Sequence, residues 1–158
     1  MKAPLLVVAR VLHVLAIVIW IGGIATVTTV IFPAMRRIDS NQQKAWLLEQ
    51  VVRSFRPQAR IAWLVVGLTG IYMVGSLGAW PRFVEPHYWW MHAMVGLWAI
   101  FGLMLFLVEP LVVGPRMQRN LVSDPDRALA RMEALHWVLL GLSLMVIAAV
   151  VSGIYGLL

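Results

Sequence analysis

Four uncharged runs dominate the chain: Val11 to Met35, Ile61 to Pro81, Pro86 to Val108 and Ala134 to Leu158. Each holds about 20 residues or more, the length a helix needs to cross a hydrocarbon core roughly 30 Å thick. In lipid every backbone polar group must find an internal partner, and four segments are too few to close a barrel, so the segments must be helices. Composition agrees, with 61% hydrophobic and 13% charged residues, where soluble domains run near about a half and a quarter. The expected fold is all-α, an integral membrane four-helix bundle forming one domain over residues 1–158, with spans at about 8–33, 60–79, 88–112 and 133–157. The first run is too long for a cleaved signal peptide and lacks a small-x-small cleavage site.

The net charge is +6, and its placement orients the protein. The stretch between the first two spans carries Arg36, Arg37, Lys44, Arg53, Arg56 and Arg60, and that between the last two carries Arg116, Arg119, Arg127 and Arg131. The opposite face has only Lys2, Arg10 and Arg82. Basic residues favour the cytoplasmic side, so both termini are expected outside, with Trp80, Tyr88, Trp89 and Trp90 in an outer aromatic belt. Basic residues spread through such loops do not form a nucleic-acid surface. The chain has no cysteine, which removes disulfides, thiolate metal sites, iron–sulfur clusters and Cys-linked haem.

Ser40 followed by Gln43 has the form of a capping box. Beyond it Trp46, Leu47, Leu48, Val51, Val52 and Phe55 recur at helical spacing among Gln50, Arg53 and Arg56, so residues 41–55 are expected as an amphipathic helix on the inner surface. Asp124-Pro125 supplies an N-cap and a proline at the first helical position of a helix leading into span 4.

The two halves resemble each other and suggest two repeated helical hairpins. Spans 1 and 3 each have a histidine toward the outer end and a proline toward the inner end, His13 with Pro33 and His92 with Pro110. A shift of 79 residues superposes His13 on His92 and Gly23 on Gly102, and spans 2 and 4 end in Thr69-Gly70-Ile71-Tyr72 and Ser152-Gly153-Ile154-Tyr155. The histidine–proline spacings, 20 and 18 residues, place the two imidazoles within about 3 Å in depth.

Ionisable residues inside spans point to function. Two imidazoles at one depth on different helices suit the axial positions of a b-type haem. His13 and His92 are therefore candidate haem ligands, with Arg10 one turn outward as a propionate partner. Gly22, Gly23, Gly96 and Gly102 offer flat helix surface for a ring. His136, nearer the inner side, is a candidate for a second metal site or a helix contact. Met91-His92-Ala93-Met94 offers softer donors that suit Cu(I). No nucleophile–base pairing, paired carboxylates or phosphate loop is present; Glu85 and Glu109 sit at span ends, where solvated carboxylates are expected.

The run from His13 through Trp20, Ile21 and Gly22 to Gly23 resembles the first-helix motif of the copper-resistance protein D (CopD-like) superfamily, and is similar to that helix in the HemJ-type protoporphyrinogen oxidases. Trp90-Met91-His92 resembles the Trp-x-His opening of the oxidases' corresponding helix. The resemblance implies a small membrane protein of redox or copper-related role in the bacterial inner membrane. His13 and His92 take the places of the oxidases' histidines, and Trp20 and Gly23 belong to the same motif. The oxidases require a lysine two residues beyond the second histidine; Met94 stands there and argues against porphyrinogen oxidation, leaving any enzymatic role open. The copper-resistance proteins are usually longer, with about eight helices.

The leading expectation is thus a haem b protein, a cytochrome-like electron carrier or oxidoreductase subunit at the periplasmic side. Its cofactor-binding set is His13, His92, Arg10, Trp20 and Gly23, and its partners are the bilayer, a quinone or periplasmic electron carrier, and a second copy or larger membrane complex. The alternatives are copper transport or handling through His92, Met91 and Met94, and a structural subunit of a respiratory complex.

Overall fold

A computed structural model describes residues 2–113 and 124–156. Arg116 and Arg119 lie outside the described residues, as does position 157 of the expected fourth span. Helix α1 (Lys2–Thr26) passes through a π-helical turn (Val27–Ile31) into α2 (Phe32–Arg36). Helix α3 (Asn41–Ser76) follows, then two 3-10 turns (Trp80–Val84 and Pro86–Tyr88). Helix α4 (Trp89–Leu103) continues as a π-helical stretch (Met104–Val113), and α5 (Pro125–Ile154) ends the described chain. Among the described residues there is no strand. Four segments, Ala3–Arg36, Asn41–Ser76, Pro86–Leu111 and Asp126–Ile154, are long and apolar enough to cross a membrane. Val18, Leu68, Ile100 and Met145 are among many large apolar side chains left exposed along them, which lipid covers and water would not. The chain is an all-α multi-pass membrane protein.

Both π-helical segments have the same cause. Proline lacks an N–H and its ring crowds the carbonyl four residues earlier, so the helix widens there. Each widening begins six residues before a proline, Val27 before Pro33 and Met104 before Pro110. Pro57 sits inside α3 without ending it. Residues 41–55, expected as an amphipathic helix on the inner surface, are the first part of one 36-residue helix that runs on into the second span. Leu48 is buried with Phe32, Met35 and Leu129, and the buried Lys44 ammonium donates to Asp126 at 2.6 Å. Ser40 caps α3 by accepting from the Gln43 N–H at 3.4 Å, and Asp124 caps α5 by accepting from the Arg127 N–H at 3.1 Å.

Helix α1 packs chiefly on α3, and α4 on α5. The two hairpins close in the same way. The His13 ring lies over Gly70, where a methyl group would come 3.4 Å from its Cε1, and the Trp90 ring lies on Gly153. These glycines occupy the same place in the two related tetrapeptides, so the structural counterpart of His13 is Trp90, a shift of 77 residues. The two prolines are related by the same shift.

A reciprocal tryptophan pair joins the hairpins. The Trp63 and Trp98 rings stack with centroids 4.3 Å apart and planes within 6°. The Trp63 indole N–H donates to the Trp98 carbonyl at 2.8 Å, and the Trp98 indole to the Trp63 carbonyl at 3.0 Å. Each ring occupies space opened by the glycine four residues after its partner: a methyl group on Gly67 would come 2.6 Å from Trp98, and one on Gly102 2.5 Å from Trp63. Below this pair a central core gathers Ala16, Trp20, Ala62, Val66, Phe101 and Leu139.

Candidate functional site

His13 is set in α1 toward the face that carries Lys2 and Ile154, and is only 9% exposed. Its Nδ1 lies 2.9 Å from the Thr69 hydroxyl on α3. That hydroxyl is also 2.5 Å from the Val65 carbonyl and 3.2 Å from the Val66 carbonyl. A carbonyl can only accept, so the one hydroxyl proton points at Val65 and the Thr69 oxygen accepts from the imidazole. The proton on His13 is thereby fixed at Nδ1, and Nε2 keeps its lone pair. Buried ligand histidines are commonly held this way, with one nitrogen anchored and the other free to bind.

The ring lines a cavity of about 320 Å³ together with Gly67, Gly70, Trp80, Phe83, Met94 and Trp98. Its other walls are aliphatic, so the imidazole nitrogen and the Met94 thioether are its donors. Hydrated or oxygen-seeking cations would lose their shells here without replacement. A soft ion such as Cu(I) accepts nitrogen and thioether ligands.

The residues expected to cradle a haem do not meet. His92 is exposed on α4, with Phe83 edge-on against its ring at 5.5 Å, and it does not line the cavity that His13 lines. Arg10 is exposed and away from the cavity. Trp20 is buried in the central core, edge-on to Phe101 at 4.6 Å, and Gly23 faces Phe55; both line a different cavity. The axial pair is therefore divided, and the arrangement does not fit a bis-histidine haem. The copper set is divided as well: Met94 faces the cavity, Met91 is buried outside its lining, and His92 is turned out.

A second cavity, about 230 Å³, lies toward the opposite face and is lined by Trp20, Gly23, Arg56, Met104, Glu109, Met132 and His136 among others. Glu109, expected to be solvated, is instead paired with Arg56 at 2.5 Å, and its other oxygen is 4.0 Å from Arg60. Among the described residues, no three His, Cys, Asp or Glu side chains converge to hold a metal.

The family model for copper resistance protein D matches residues 49–153. The chain belongs to the CopD family. The match runs from within α3 to the end of α5, taking in Thr69, Gly70, His92, Met94, Met104, Met132 and His136. It leaves α1, with His13, Trp20 and Gly23, outside. No curated protein and no solved structure matches the chain. In this CopD-family chain the first cavity thus joins one donor from outside the matched segment, His13, to Met94 from within it. Sequence reasoning missed Thr69 as the residue that fixes the imidazole, although its tetrapeptide was visible as half of a repeat. It also missed the tryptophan lock, whose signal is the paired spacing Trp63-x-x-x-Gly67 and Trp98-x-x-x-Gly102.

Proposed function

We propose that this CopD-family protein handles copper within the bacterial inner membrane as Cu(I), taking it into the cavity of His13 and Met94 on the periplasmic side. The observation that carries the proposal is the imidazole whose Nδ1–H is committed to Thr69, leaving Nε2 as the free nitrogen of a side chain that lines a cavity whose other donor is Met94. Cu(I) tolerates few ligands and prefers soft ones, which suits one nitrogen and one sulfur in apolar surroundings. Met94 adds to this: a lysine at that position would repel a cation, whereas the thioether can bind one. The periplasmic assignment rests on the excess of Arg and Lys toward the other face. Family membership supports copper as the cargo.

The test is an anaerobic Cu(I) titration of the purified protein against a chelating competitor. His13→Ala should abolish one tight equivalent, and Met94→Leu should weaken it at least about tenfold, the scale of losing a supporting contact at a metal site. Unchanged affinity in both variants would refute the assignment.

A further inference from the structure

The cavity toward the loop face repeats the donor chemistry of the first on different residues. His136 Nδ1 lies 2.8 Å from the Met132 carbonyl one turn earlier in α5. The carbonyl can only accept, so the proton sits on Nδ1 and Nε2 keeps its lone pair. The ring is held from the side by Phe32, edge-on at 5.1 Å. Met132 and, from the start of the π-helical stretch, Met104 line the same cavity as His136. Glu109 lines it too. Its Oε1 accepts from Arg56 at 2.6 Å, while its Oε2 is buried without a hydrogen-bond partner. That oxygen lies 4.0 Å from the Arg60 guanidinium, too far for a hydrogen bond, so it adds negative charge to the cavity wall that the ion pairs do not fully satisfy. Arg56 and Arg60 are the cations nearest that carboxylate, and Arg56 is neutralised by it.

We propose that this inner cavity is a second Cu(I) site, held by His136 Nε2 with the thioethers of Met132 and Met104, in series with the outer one. The proposal rests on Cu(I) being the cargo, but on none of the outer donors. Met94 and Met104 are ten residues apart on one helix, which separates the sites by about 15 Å along the bundle. The packed Trp20–Phe101 pair belongs to the core between them. Two weak-field sites of the same soft chemistry, one toward each face, let an ion leave one for the other without meeting a stronger trap. The widened π-helical turn that carries Met104 is a common feature of functional helices.

The experiment is Ag(I) and Cu(I) binding to the full-length protein in detergent, with stoichiometry read against a competing chelator and sulfur coordination read by X-ray absorption. Wild type should hold two equivalents. His13→Ala should hold one, the inner ion with its two thioether ligands, and His136→Ala should hold one, the outer ion with a single thioether ligand. Met104→Leu, which conserves side-chain volume and should fold, should bind the inner ion at least tenfold more weakly while leaving the outer equivalent intact. A single equivalent in wild type, lost in His13→Ala and kept in Met104→Leu and His136→Ala, overturns the inner site and leaves the outer one standing. No bound equivalent in wild type overturns both.

Discussion

Replacing Thr69 by valine separates ligand positioning from ligation. The substitution keeps the shape of the side chain and removes the oxygen that accepts the His13 Nδ1–H at 2.9 Å. Nothing then holds the proton on Nδ1, and a buried donor left unpaired costs about 1–3 kcal/mol. The tautomer with its proton on Nε2 becomes competitive, and that tautomer cannot offer Nε2 to an ion. The Val65 and Val66 carbonyls, 2.5 and 3.2 Å from the present hydroxyl, are the replacement acceptors at hand and recover part of the loss. The expected fall in Cu(I) affinity is therefore about tenfold, the lower end of the 10–100-fold range for residues that orient a metal-binding histidine, or about 1.4 kcal/mol. Thr69→Ser keeps the hydroxyl and should bind within about twofold of wild type. The assay is chelator competition, accompanied by nitrogen NMR of the labelled imidazole, which should show Nδ1 protonated in wild type and a mixture in Thr69→Val. Wild-type affinity in Thr69→Val, with binding abolished in His13→Ala, would show that the hydroxyl does not set the tautomer.

Three further predictions concern residues outside that contact. His92→Ala should leave Cu(I) affinity within about twofold, because His92 is exposed and off the cavity; a tenfold loss in the same titration would return it to the site. Gly67→Ala places a methyl group 2.6 Å from the Trp98 ring, an overpacking that should destabilise the bundle by about 1–3 kcal/mol, read as a lower thermal midpoint in detergent; an unchanged midpoint would mean the tryptophan lock is slack. Asp126→Ala strands the buried Lys44 ammonium and should destabilise the protein by about 1 kcal/mol more than Lys44→Met, which removes the buried charge and leaves unpaired only the exposed Asp126 carboxylate; equal midpoints would show that the pair is fully screened.

The sequence made the helices legible because four long uncharged runs admit no other solution in lipid. The cap at Asp124 was equally plain, since an oxygen acceptor followed by proline has few other uses. Reading 41–55 as an amphipathic surface helix left out what covers its apolar side, for a specific reason. Its amphipathic pattern is real, but the apolar side packs on Phe32, Met35 and Leu129, and an amphipathic face does not say whether lipid or protein covers it. Lys44 looked like an orienting surface charge and proved to be a buried half of an ion pair, because its partner Asp126 lies 82 positions away, beyond the reach of any local pattern.

The expected pairing of His13 with His92 fails on rotation rather than on depth. Matching His13 to His92 compared distances along the helix axis, where a two-residue difference is only about 3 Å. Around the axis, two residues amount to about 200°. The π-helical turns provide the common origin: His13 lies 14 residues before Val27, and His92 only 12 before Met104. If His13 faces α3, His92 must therefore face nearly the opposite way, and it is exposed. The residue 14 before Met104 is Trp90, and Trp90 is buried on Gly153 as His13 is buried on Gly70. The repeat is thus real in packing and broken in chemistry: one half places an imidazole with a free nitrogen in the pocket, and the other fills the equivalent place with an indole, which can donate but not ligate. That asymmetry turns a pair of equivalent histidines into a single donor toward one face, and it leaves His136, on a helix with no matching histidine in the first half, as the free imidazole toward the other.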